Sequence, residues 1–199
     1  MFETVMERLE ANGFAVSVFA TGEEASAYLN REIDRVTVGI SGSETMNQLG
    51  LKDSLSAHNI VYNHGYSPCD PTKARDLAAA ADVYLLSANG LSESTGEIIN
   101  IDGTGNRAAS SLYGHKKVYF VIGKNKLAPD FHSALQRARN IAGPKNAQRL
   151  RVKTPCAAKG DRCYDCNSPE RICRGLVVLY QKMMSMDMEV VLIDQELGY

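Results

Sequence analysis

The chain has 199 residues, 44% of them hydrophobic and 23% charged, with a formal net charge of −1. That balance suits one sizeable globular domain and argues against a nucleic-acid or membrane-surface role, because such partners select a strongly basic face. No apolar run is long enough to span a bilayer, and Met1-Phe2-Glu3-Thr4 lacks the charged-then-apolar layout of a secretory signal, so a cytoplasmic location with reduced thiols is expected.

Phe2, Val5, Met6 and Leu9 recur at helical spacing until Gly13. Residues 15–19 alternate as a strand, and Thr21-Gly22-Glu23-Glu24 has the spacing of a capping box that opens a helix. The β-branched run 36–40 reads as a strand ending at Ser41-Gly42-Ser43, with a helix from Glu44. Residues 59–62 form another short strand. Asp70-Pro71-Thr72 turns into an alanine-rich helix over 73–81. Strands are predicted at 83–87, 97–101 and 118–122, with a short helix at 107–112. Asp130 leads a helix over 131–141 that Gly143-Pro144 stops. Residues 155–170 read as a loop. The apolar runs 176–180 and 190–193 are expected to pair as a terminal hairpin, with the tail Glu196-Leu197-Gly198-Tyr199 docked on the body. Strands alternating with helices predict a single α/β domain over 1–199, with a mainly parallel sheet covered by helices on both faces.

Two glycine-rich segments lie where strands should end, the usual place for ligand loops in open α/β sheets. The first, Gly39-Ile40-Ser41-Gly42-Ser43-Glu44-Thr45, lets backbone approach a ligand and offers Gly42, Ser43 and Thr45 as binding residues, with Glu44 for a hydroxyl, an amine or a metal. It matches neither a Walker loop nor a full dinucleotide fingerprint. The second offers Asn89, Thr95, Gly96, Gly103, Gly105 and Asn106 as ligand-binding positions. Within it Glu97 and Asp102 are candidate acid, base or nucleophile, and Arg107 is a bidentate holder of carboxylate or phosphate. Lys124 adds positive charge beyond the strongest strand, and Arg137, Arg139 and Asn146 follow as weaker candidates. Read blandly, these segments are tight turns with Ser, Thr, Asn and Asp as caps and turn formers.

Cys156, Cys163, Cys166 and Cys173 have the spacing C-x6-C-x2-C-x6-C. Four thiolates suit tetrahedral zinc or an iron–sulfur cluster, and the spacing selects neither; Lys159, Arg162, Arg171 and Arg174 are placed to offset thiolate charge. Unliganded thiols, or disulfides formed after purification, are the alternatives. Cys69 stands apart as a lone thiol. No histidine, His64 and His115 included, has ligand-like spacing.

Taken together, residues 38–45, 94–107, 123–126 and 139–147 and the cysteine block over 154–174 resemble the lactate-utilization (LUD) domain family, the group containing the third protein of bacterial three-gene lactate-oxidation operons. The cysteine block resembles that of a subset of the family. The resemblance implies a fold similar to ribose-5-phosphate isomerase and CoA-transferase-like domains. It also implies a subunit or accessory role in oxidising L-lactate to pyruvate beside iron–sulfur partner subunits. By fold analogy the loops would face a small anionic ligand. The readings to be weighed are therefore a lactate-utilization subunit with a four-cysteine centre, an isomerase- or CoA-transferase-like enzyme, and a ligand-sensing scaffold with structural zinc. A homodimer is expected from the exposed-looking terminal hairpin.

Overall fold

Six strands form the central sheet, the inner ones built from buried apolar runs. In the computed structural model, which describes residues 2–63 and 70–199 apart from the side chain of Pro71, the strands in chain order are β1 (Ala15–Phe19), β2 (Thr37–Ile40), β3 (Ile60–Tyr62), β4 (Val83–Leu86), β5 (Gly90–Ser92), β6 (Ile98–Asp102), β7 (Lys117–Gly123), β8 (Leu127–Ala128), β9 (Gly175–Leu179) and β10 (Asp187–Ile193). His64 and Cys69 lie outside the described residues. The main sheet is parallel in the order β1-β10-β7-β4-β2-β3. A second sheet, β8-β5-β6-β9, pairs β6 antiparallel with both β5 and β9.

The helices are α1 (Glu3–Ala11), α2 (Gly22–Glu32), α3 (Glu44–Gln48), α4 (Leu51–Ser56), α5 (Pro71–Ala79), α6 (Asn106–Leu112), α7 (Phe131–Arg137), α8 (Gly143–Arg149) and α9 (Pro155–Lys159). Period-two alternation sends successive strand residues to opposite faces. Val118, Phe120, Val190 and Leu192 pack with Val5 and Leu9 of α1 and with Leu91, Ile98 and Leu179 of the second sheet. Tyr119, Val121, Val191 and Ile193 pack with Ala25, Leu29, Leu51 and Leu55 of α2 and α4. Both faces of the main sheet are thus covered, as a parallel sheet requires. A third cluster, Ile99, Ala128, Ala134 and Ala138, packs α7 onto the second sheet.

Local chemistry sets the ends of these elements. The Thr21 hydroxyl accepts from the Glu24 N–H at 3.2 Å, as the predicted capping box requires, while Glu24 Oε2 reaches one residue further back and accepts from the Ala20 N–H at 3.0 Å. The Asp70 carboxylate caps α5 through the Thr72 and Lys73 N–H groups. Gly39 is required by close packing, since a Cβ there would lie 2.5 Å from the Ala78 carbonyl and 2.6 Å from the Tyr84 ring.

Three expectations are corrected. The two apolar runs at the C-terminus form no hairpin. The second run is β10, which sits between β1 and β7 and is buried from Met188 to Ile193, whereas the first is β9, an edge of the second sheet. An unbroken apolar run is the signature of a central parallel strand, so the hairpin that suggested a homodimer does not exist. Gly143-Pro144 does not stop the helix. Residues Ala138–Ala142 widen into a π-helical turn, and Pro144 falls in the first turn of α8; the wider turn accommodates a ring that lacks an N–H and would otherwise crowd the carbonyl four residues back. Residues 155–170 are not all loop, because Thr154 accepts from the Ala157 N–H and opens α9.

Candidate functional site

The chain leaves β2 at Ser41 and Gly42, β4 just before Asn89, and β6 at Asp102. These carboxyl ends meet the helical segment 139–150 and the cysteine block around one cavity of about 490 Å³. Gly103, Thr104, Asn106 and Arg107 form one wall, Arg139, Pro144 and Asn146 another, and Cys156, Cys163, Cys166 and Cys173 a third. Register explains why distant sequence meets here: Asp102 at the end of β6 pairs with Gly175 at the start of β9, so the loop after β6 and the end of the cysteine block are neighbours. They fit without a gap, since a Cβ on Gly103 would lie 2.7 Å from the Ile172 carbonyl.

The lining carries six arginines, Arg75, Arg107, Arg139, Arg149, Arg171 and Arg174, against one carboxylate, Asp102. Such an excess of fixed cations in a recess focuses positive potential on whatever enters. Ser41 is 1% exposed, and its hydroxyl has no hydrogen-bond partner among the described residues. A buried unpaired hydroxyl on a cavity wall points to a ligand or water in that cavity.

Asp102 and Arg107 hold the loop together. The Asp102 carboxylate accepts from the Gly105 and Ala108 N–H groups at 3.2 and 2.9 Å, with Arg107 Nε at 3.9 Å. Burial raises its pKa, but Arg107 and the backbone donors outweigh that and hold it below the usual carboxylate value. It is therefore ionised at neutral pH and weakly basic. Arg107 Nη2 donates to the Asn89 side chain and to the Ile101 carbonyl, at 3.1 and 2.5 Å. Gly105 precedes α6 at φ +90°, a conformation that favours glycine. Buried Tyr84, beside Ser110, Arg107 and Asp102, has its pKa pushed up to about 12 by burial.

The other sequence candidates lie elsewhere. Glu97 accepts from the Thr95 hydroxyl in the turn between β5 and β6. That turn rests on α1, where Asn12 Nδ2 donates to the Thr95 carbonyl at 2.9 Å and approaches Gly96. Glu97 precedes β6 and Asp102 ends it, a span of roughly 16 Å along the strand. Lys124 pairs with Asp194 at 2.8 Å, and Glu44 accepts from Asn47 at 3.4 Å. Neither lines the cavity, nor does Ser43. Thr45 is buried against Ser87 and the Leu197 carbonyl. His115 is buried, bonded to the Ala81 carbonyl and stacked on Tyr84.

All four cysteines of the block are free thiols. Arg171 Nη2 lies 3.3 Å from Cys173 Sγ, the Asp165 N–H 3.4 Å from Cys163 Sγ, and Arg139 Nη2 4.0 Å from the same sulfur. Lys159 and Arg162 instead sit over the Tyr164 ring. Among the described residues no group of three or more His, Cys, Asp or Glu side chains is gathered closely enough to hold a metal ion. The four thiols are the donor type that a tetrathiolate centre would use, but they are not drawn together around one point here. Sequence reading missed Arg75 and Arg149; each lies on a helix as an unremarkable polar position, and only the tertiary packing turns it toward the cavity.

A family model described as the LUD domain matches residues 2–193. The chain belongs to the LUD domain family. Membership associates this LUD domain with lactate utilization in general terms. No curated protein matches it. Among solved structures it is similar to a DUF162 family protein from Deinococcus radiodurans, with 13% identity and a TM-score of 0.56 over 96% of this chain and 94% of that one. At that identity the likeness concerns the fold alone. No helix among the described residues is long and apolar enough to cross a membrane.

Proposed function

We propose that this LUD domain is a subunit or accessory of a lactate-oxidising system, holding an iron–sulfur cluster or zinc on its four cysteines and a small anion in the adjoining arginine-lined cavity. One observation carries the reading: the four thiols and the loops after β2, β4 and β6 line the same recess. Four thiolates suit either centre. When bound, a cluster supplies one-electron transfer. The chain's own residues do the rest: Arg171 and Arg139 offset thiolate charge, Arg107 and the Ser41 hydroxyl orient an anion, and Asp102 keeps Arg107 and the loop in place. A weakly basic Asp102, with Glu97 at the far end of β6, gives little support to an isomerase- or transferase-like reading.

The test is metal analysis with a visible spectrum on protein purified anaerobically. A brown protein containing iron and sulfide supports the electron-transfer role. A colourless protein with one zinc sinks that role and favours the scaffold. Thiols that stay empty after reconstitution with either metal sink the centre itself.

A further inference from the structure

The cavity is apolar as well as basic. Ile101, Leu135, Ala142, Leu150, Ile172 and Leu176 contribute to its lining. Leu150 and Leu176 are 47% and 52% exposed, so the recess carries large apolar side chains that the rest of the fold leaves uncovered. Apolar surface gathered in one recess and left uncovered marks a binding site. At about 490 Å³ the cavity has the size that drug-sized ligands fill, well beyond what a three-carbon acid needs.

The arginines around it are less available than their number suggests. Arg107 is paired with Asp102 and donates to Asn89 and the Ile101 carbonyl. Arg139 is paired with Asp165 at 3.1 Å, and Arg149 holds the Asn146 side-chain oxygen at 3.0 and 2.8 Å. Arg171 and Arg174 donate to backbone carbonyls of the cysteine block. Arg75, on α5, is different. It is partly buried, and no hydrogen bond or ion pair among the described residues includes it. The Ser41 hydroxyl, also on the cavity wall, is the buried donor without a partner. The two come from adjoining elements. Gly39 of β2 packs against Ala78 of α5; Ser41 lies two residues further along the chain, and Arg75 one helical turn from Ala78.

We propose that the cavity binds a monocarboxylate with an extended apolar body, of the medium-chain fatty acid class, with its carboxylate on Arg75 and the Ser41 hydroxyl and its chain against Leu135, Leu150 and Leu176. A planar guanidinium takes a carboxylate bidentately, and one uncommitted cation matches one negative charge. The chain covers leucines that water otherwise meets, which favours binding. The proposal rests on the anion reading of the cavity, which it narrows to a chemical class, and not on what the cysteines hold.

Calorimetric titration of the intact chain tests it, with sodium pyruvate, hexanoate and octanoate as probes and octanamide and pyrophosphate for comparison. Affinity should rise about fourfold for each methylene buried, so octanoate should bind about tenfold or more tighter than hexanoate, and pyruvate most weakly. Arg75→Gln should weaken octanoate about tenfold or more and leave octanamide, which has no charge, unchanged. Ser41→Ala should weaken octanoate a few-fold; it removes a hydroxyl that no other side chain uses, so the fold is kept. Leu150→Gln combined with Leu176→Thr should flatten the rise with chain length and leave pyruvate unaffected. Equal affinity for pyruvate and octanoate would overturn the apolar body and leave the anion reading standing. Pyrophosphate binding tighter than octanoate would mean that the arginines act jointly on a polyanion, with the same consequence. Octanoate binding unchanged in Arg75→Gln would place the acid elsewhere and overturn the proposal. A cavity that takes none of the anions would overturn the anion reading as well.

Discussion

Arg107 Nη2 donates to the side-chain oxygen of Asn89 at 3.1 Å, and that oxygen also accepts the Ile101 N–H at 2.8 Å. One amide thus ties the end of β4 to the last residues of β6 and to the arginine on the cavity wall. Asn89→Ala leaves the Ile101 N–H unpaired and should cost about 1–3 kcal/mol. Asn89→Asp keeps the acceptor and adds charge opposite Arg107, so it should cost less. Urea denaturation of both variants measures the difference.

A second network stabilises the opposite end of the sheet. Glu189, 3% exposed, pairs with Lys117 at 2.8 Å and accepts from Tyr28 at 2.6 Å and Ser17 at 2.8 Å. Glu189→Ala leaves the part-buried Tyr28 and Ser17 hydroxyls without their acceptor while the one-third exposed Lys117 turns to solvent, so it should lose about 1–3 kcal/mol. Burial raises the pKa of Glu189, but Lys117, Tyr28 and Ser17 together hold it below the ordinary 4.5. A depressed carboxylate contributes stability that is complete above its unfolded pKa and disappears as pH falls through the folded one. The gap between wild type and Glu189→Gln should therefore narrow below about pH 4.5, which denaturation at stepped acid pH would show.

Gly103→Ala places a methyl group against the Ile172 carbonyl. The clash falls where the loop after β6 meets the cysteine block, away from the main sheet. Expected results are a nearly unchanged global melting transition, faster proteolytic cleavage within residues 160–174 and, where the proposed centre is loaded, a lower metal content per chain. Unchanged cleavage and metal content would mean that the block tolerates separation from the loop.

Lys126 has its pKa lowered to about 7 from 10.5, by burial first and then by Arg137, Arg107 and Lys145. Below pH 7 the folded and unfolded chains both carry the charge, and folding bears the whole cost of burying it. Between about pH 7 and 10.5 the folded lysine is neutral while the unfolded one stays charged, so wild-type stability rises relative to a variant without the amine. The stability of wild type relative to Lys126→Met should therefore rise between pH 6 and pH 10. A difference that does not change with pH would contradict the lowered pKa.

Much of the architecture is legible locally. The strands at 37–40, 83–86 and 117–123 announce themselves by apolar runs, and Thr21, Asp70 and Asp130 by their caps. Misreadings occur where distant chain decides the outcome. Nothing local tells the run at 190–193 that it will insert between β1 and β7 rather than turn back on 176–180. Pro144 is a helix stop by its own chemistry and is overruled by a widened turn one residue before α8. At the site, Asp102, Asn106 and Arg107 were visible as a glycine-spaced polar cluster. Glu97 carried the same local signal but stays in the turn before β6, paired with the Thr95 hydroxyl, because β6 separates it from Asp102 by its own length.

The pairing of β6 with β9 sets the order in which the cavity can be assembled. It joins residues 98–102 to 175–179, a closure of more than seventy residues whose entropy is lost before either strand gains its partner. A peptide carrying only the cysteine block would hold all four thiols but lack Asp102, Arg107 and the strand that aligns them. During refolding the recess should therefore form only once β6 and β9 have paired, and any metal offered earlier would meet thiols on a flexible chain.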